Sequence, residues 1–270
     1  PLYLDCRGLT TSPIAYGARL FEIRFDFIDQ KLVVGTSSGS SVQLDLKPRS
    51  VADFHAALFR ALEDLGLHVR IHPMPCEIPD AIPFQDDTLH DQYDAEAAAR
   101  FFQALLQVDR VFKEFRARFL GKCSPVHFFW GSFDLAVTRF SGRPAPRHPG
   151  GIPNLPDWVT REAYSHEVSS AGFWPGGGGV DQAAFYSYAY PSPSGFPRAT
   201  ISPPDARWSE SLGEFLLPYE AVRETPSPDQ TLLDFLQSSY AAAADLAAWD
   251  RGSLERNPGS ENFDSAPSTP

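Results

Sequence analysis

The feature that most limits the fold is an apolar stripe within residues 94–119, where Phe101, Leu105, Val108, Phe112, Phe115 and Phe119 recur at spacings of 4, 3, 4, 3 and 4. Such spacing puts all six side chains on one face of a helix. Phe102 and Leu106 widen the stripe, so this helix packs into a core and not along a thin coiled-coil seam. The pairs Asp109–Lys113 and Glu114–Arg118 lie one turn apart and form a solvated face.

Ahead of this helix the period changes to two. Phe21, Ile23, Phe25 and Phe27 alternate with Glu22, Arg24 and Asp26, which predicts a strand with one buried face over 19–28. Asp29-Gln30 and Ser37–Ser40 are turn signals into two further runs, residues 31–36 and a strand with Val42, Leu44 and Leu46 inward. Three consecutive antiparallel strands follow from this pattern. Ser50 caps a helix over 51–65, with Asp53 in its first turn and Gly66 at its end. Residues 68–71 are a short strand candidate, and Pro73, Pro75, Pro79 and Pro83 make 73–87 an extended surface connection.

The second half reads as strands at 126–130, 133–140, 168–174 and 184–190, then a helix over 229–249. The fold class is therefore α+β: a mixed, largely antiparallel sheet with three main helices packed on it. Strands followed by a helix occur in both halves, which raises a duplicated strand–helix unit. Residues 1–251 form one domain, and the polar stretch 252–270 is expected to be a flexible C-terminal tail.

Composition narrows function mainly by exclusion. The charge is 23 − 34 = −11, which argues against nucleic acid and against anionic membranes as partners. No apolar run reaches membrane-spanning length, and the opening residues from Pro1 show no signal-peptide pattern. Cys6, Cys76 and Cys123 are odd in number and contain no CxxC pair, consistent with free thiols in a reducing, cytoplasmic setting.

Two long strings, GKCSPVHFFWGSFDLAVTRFSGR at 121–143 and DWVTREAYSHEVSSAGFWPG at 157–176, resemble a bacterial family known only as a domain of unknown function. RGLTTSPI at 7–14, VFKEFRARF at 111–119 and GEFLLPYEAVR at 213–223 extend the likeness over nearly all of 1–251. The resemblance implies no activity, cofactor or catalytic residue.

Chemistry-bearing residues crowd into 121–190, and a pocket there would have aromatic walls and a few convergent polar groups. His127 and His166 are candidate bases, with Asp134 and Glu167 as orienting carboxylates. Arg139 and Arg143 offer a clamp for a small anionic molecule. Trp130, Tyr164, Trp174 and Tyr188 are candidate walls. The sharpest hypothesis is a divalent or redox metal held by His127, His148 and His166, although no HExxH is present and adjacent His166 and Glu167 would point to opposite faces of a strand. Cys123, beside Lys122 and four residues before His127, is a weaker nucleophile candidate. The glycine run 176–179 lacks a GK[ST] ending and is expected to be a loop bordering the pocket.

Two functional classes result. One is a small-molecule-binding protein of enzymatic type. The other is a non-catalytic interaction module or homodimer, for which the tyrosines at 186, 188 and 190 would be exposed in place of gathered around polar groups.

Overall fold

The alternating residues of the first 45 positions form a six-stranded antiparallel sheet. Its strands are β1 (Tyr3–Leu4), β2 (Gly8–Thr10), β3 (Ile14–Tyr16), β4 (Arg19–Asp26), β5 (Lys31–Thr36) and β6 (Ser41–Asp45). The computed structural model describes residues 1–177 and 180–256. Helix α1 (Val51–Asp64), capped by the Ser50 hydroxyl on the Asp53 amide, covers this sheet. Ala61 and Leu62 of α1 meet Phe21 and Val34 in a small core.

Helix α2 (Ala95–Ala117) is the striped helix, and Asp94 caps its start. The second sheet follows, with β7 (His127–Phe129), β8 (Asp134–Pro144), helix α3 (Asp157–Ala163), β9 (His166–Trp174), β10 (Ala184–Tyr190), β11 (Arg207–Ser209) and β12 (Glu214–Pro218). Helices α4 (Tyr219–Arg223), α5 (Pro228–Leu246) and α6 (Arg251–Leu254) complete the chain. The strand order is β11-β12-β10-β9-β8-β7, and every pairing is antiparallel. The expected mixed sheet is thus two antiparallel sheets. They meet at their edges, where Leu2 and Phe128 exchange two backbone hydrogen bonds of 2.7 Å.

Strand alternation gives the second sheet two unlike faces. Leu135, Val137, Ala171, Phe173, Phe185, Phe215 and Leu217 point into the main core, against Phe112 and Phe115 of α2 and Phe235 and Leu236 of α5. The other face carries Asp134, Ala136, Thr138, Ser170, Gly172, Tyr186 and Tyr188, aligned by the register Ala136↔Gly172↔Tyr186 and Thr138↔Ser170↔Tyr188.

Three expectations change. Residues 68–71 pair with no strand among the described residues; Leu67 and Val69 instead pack on the α1 core. The start of the expected tail is ordered, because residues 251–254 form α6 and the Leu254 carbonyl accepts the Leu120 amide at 2.7 Å; residues 257–270 of that tail lie outside the described residues. In the glycine run, residues 178–179 lie outside the described residues, while Gly177 and Val180 exchange backbone hydrogen bonds of 2.7 and 2.9 Å. No helix among the described residues is long and apolar enough to cross a membrane.

A carboxyl and tyrosine cluster on the second sheet

Asp134 opens β8 on the outer face and is nevertheless only 5% exposed. The Tyr186 hydroxyl donates to its Oδ2. Its Oδ1 has no hydrogen-bond partner. Burial raises the Asp134 carboxyl above the ordinary range, outweighing the opposing pull of the neighbouring Tyr186 and Ser132 hydroxyls.

Two further carboxyls join it. Glu214, the first residue of β12, is pushed up to about 7, first by burial and then by the charge of Asp134. Glu77 is raised by burial and, to a smaller extent, by the charge of Asp134, with the Ser132 hydroxyl nearby pulling the other way. The proline-rich connection delivers Glu77: its amide donates to the Pro153 carbonyl at 2.8 Å, and Asn154 Nδ2 holds the Ile78 carbonyl at 2.8 Å. Lys and Arg side chains form no ion pair with Glu77, Asp134 or Glu214 among the described residues.

Tyrosine rings surround the acids. Tyr186 and Tyr188 stack with centroids 6.1 Å apart and planes 19° apart. Tyr164, just past α3, places its hydroxyl 2.7 Å from that of Tyr188. His148 stacks on Tyr164 at 4.8 Å and leans on Tyr190 at 5.0 Å. Arg161 fixes that loop through the His148 and Pro149 carbonyls. Gly150, at φ +83°, lets the loop lie against α3, since a Cβ there would fall 2.2 Å from Asp157 Oδ1. Burial lifts all three phenols, at 164, 186 and 188, above their ordinary range. Tyr186, Tyr188 and Tyr190 are half-buried, gathered around polar groups.

Of the residues singled out from sequence, Asp134, Tyr164, Tyr188 and His148 come together here. The others do different work. Arg139 belongs to the core face and is fully buried, its guanidinium 3.4 Å from the Phe115 ring centre and 4.3 Å from that of Tyr240. Arg143 binds Glu167 at 2.7 Å and the α5 terminal carbonyl of Ala247 at 2.6 Å. The expected anion clamp is therefore not formed, and Glu167 is held by Arg143 and the Ser141 hydroxyl. Glu167 does border the wall of a separate cavity of about 280 Å³, beside Tyr190, Ser194 and Trp249.

His127 lies edge-on to Phe129 at 4.4 Å. Burial lowers it to about 4, so it is a neutral imidazole at pH 7. His166 faces the Ser165 hydroxyl at 3.1 Å. The three expected metal-binding histidines thus sit in separate surroundings, and among the described residues no three His, Cys, Asp or Glu groups converge as metal ligands. Trp130 is 52% exposed and stacks on Phe25 at 5.2 Å, and Trp174 ends β9 opposite Ala184. Burial raises the Cys123 thiol, the reverse of an activated nucleophile.

Sequence reasoning missed Glu214, Glu77, Ser132 and Gly172. The alternation of Tyr186, Tyr188 and Tyr190 with Phe185, Ser187 and Ala189 does mark one aromatic outer face. Opposite it, Gly172 and Ser170 are the small residues that leave room for those rings. No curated protein and no solved structure matches this chain. A family model covers residues 1–256, and the chain belongs to the family of unknown function DUF5996.

Proposed function

We propose that this protein binds a small polar molecule on the outer face of the second sheet, and that Asp134 and Glu214 exchange protons with it. The observation that carries this is the Asp134 carboxyl, buried among tyrosines with Oδ1 unpartnered and two further carboxyls nearby. Structural carboxylates are normally paired when buried, so an unsatisfied oxygen in a polar, aromatic-walled setting fits a site awaiting a ligand. A carboxyl at about 7, as at Glu214, can both give and accept a proton at neutral pH. The free state of Cys6, Cys76 and Cys123 supports a cytoplasmic setting. Ligand-observed NMR with panels of amines, sugars and carboxylic acids tests the site in wild type and in Asp134→Asn. Binding lost in the variant is the expected result. Binding that survives it, or none from any class, overturns the reading.

A second reading follows from the β7–β8 hairpin, where Phe129, Trp130 and Phe133 are 38%, 52% and 42% exposed. Contiguous exposed aromatics suit a protein contact or a homodimer. Sedimentation of wild type against Trp130→Glu measures this: a dimer that the substitution dissolves supports it, and a monomer in both sinks the homodimer.

A further inference from the structure

We propose that the ligand of the Asp134 face is a small organic cation, an alkylammonium or guanidinium, held between the carboxyls of Asp134 and Glu214 and the faces of Tyr186 and Tyr188; this rests on the reading of that face as a binding site.

Counting donors and acceptors leads to it. The Tyr186 proton is committed to Asp134 Oδ2, and the hydroxyls of Tyr164 and Tyr188 share a hydrogen bond. What remains open is an acceptor, Asp134 Oδ1, on a side chain that is only 5% exposed. An occupant must therefore bring a donor.

Charge decides which donor. Burial raises Glu77 and Glu214 and the charge of Asp134 adds to both, while no Lys or Arg side chain among the described residues pairs with any of the three. Arg207, which register places on the same face opposite Leu216, turns to the carbonyls of Pro204 and Ala206. An anion would add to the repulsion. A neutral donor would fill Oδ1 and leave the repulsion in place, whereas a cation answers both. The stacked rings of Tyr186 and Tyr188 present negative π faces that favour a cation as well. Among the described residues no three His, Cys, Asp or Glu groups converge as metal ligands, so an organic cation suits the face better than a metal ion.

Binding of a cation draws protons off the acids. The groups facing the site are Asp134 on β8, Tyr186 and Tyr188 on β10, Glu214 on β12, Glu77 on the proline-rich connection and Tyr164 after α3; His148 reaches it through the Tyr164 ring. His127 on β7 stays neutral above about 4.

The test is calorimetric titration of the full chain with butylammonium, methylguanidinium and neutral butanol at pH 6 and pH 8. A cation should bind roughly 10-fold tighter at pH 8, as a carboxyl titrating near 7 ionises, with protons released into the buffer. Glu214→Gln should flatten that pH dependence, and Asp134→Asn should abolish binding. The urea midpoint of Asp134→Asn is measured beside the titration, so that lost binding is told apart from a folding defect; where that variant does not fold, the pH dependence of Glu214→Gln decides. Butanol binding as well as the amine, or neither cation binding at millimolar concentration, overturns the cation and leaves the site standing. Cation binding untouched by Asp134→Asn overturns the site itself.

Discussion

The Tyr186 ring lies against the Cα of Gly172: a Cβ at position 172 would fall 2.3 Å from both Tyr186 Cζ and Oη. The two residues are register partners on neighbouring strands, so the glycine makes the flat seat that lets Tyr186 reach Asp134. Gly172→Ala should therefore displace the ring and break that hydrogen bond. A loss of about 1–3 kcal/mol is expected for such overpacking, together with a shifted Asp134 titration. Urea unfolding measures the first, and a variant as stable as wild type would show that the seat is not needed.

Glu214 makes stability depend on pH in an unusual sense. Its carboxyl holds its proton up to about 7 in the fold, against 4.5 for the ordinary side chain. The native state then binds more protons than the unfolded chain between those values, so stability falls as pH rises through that window. Asp134 and Glu77, raised in the same direction, reinforce the trend. Melting curves from pH 5 to pH 8 should show wild type losing stability. Glu214→Gln should be flatter and roughly 1–3 kcal/mol more stable at pH 8. A variant with an unchanged pH slope would contradict the assignment.

Arg139 predicts a stability effect without a binding effect. Its guanidinium, lowered to about 10 by burial, lies over Phe115, Tyr240 and Phe119 and donates to the Phe115 carbonyl. Arg139→Ala removes the cation–π contacts and leaves a cavity, at a cost of about 3 kcal/mol or more. Arg139→Met keeps most of the volume and should lose less. Because Arg139 occupies the core face and Asp134 the outer face, ligand affinity should survive in whichever variant folds. A normal denaturation midpoint for Arg139→Ala would contradict this role.

These contrasts show what the sequence could and could not convey. The long helix, the β4–β6 meander and the strands from β7 to β10 were legible because their periodicity runs over many residues. Strands β1 to β3, β11 and β12 span only two to five residues each, and most are too short to set a period. Asp134, Tyr164 and Tyr188 were readable as polar and aromatic groups on the right segments. Glu77 and Glu214 were not, since only folding brings the proline-rich connection and β12 to the sheet face that carries Asp134. The misplacement of Arg139 was avoidable: it shares the parity of Leu135 and Val137, the core-facing residues of β8. Four-residue spacing suggested a clamp, but within one strand that spacing says nothing about what lies opposite.

The most direct test of the central claim is a ¹³C NMR titration of the side-chain carboxyls of Asp134 and Glu214 in the wild-type chain, and of Glu214 in Asp134→Asn. Both carboxyls should titrate above the ordinary range in wild type, Glu214 at about 7, and Glu214 should ionise more easily once Asp134 is neutralised. Two independent titrations at ordinary carboxylate values, unaltered by the substitution, would contradict a coupled and unpaired acidic site on this face.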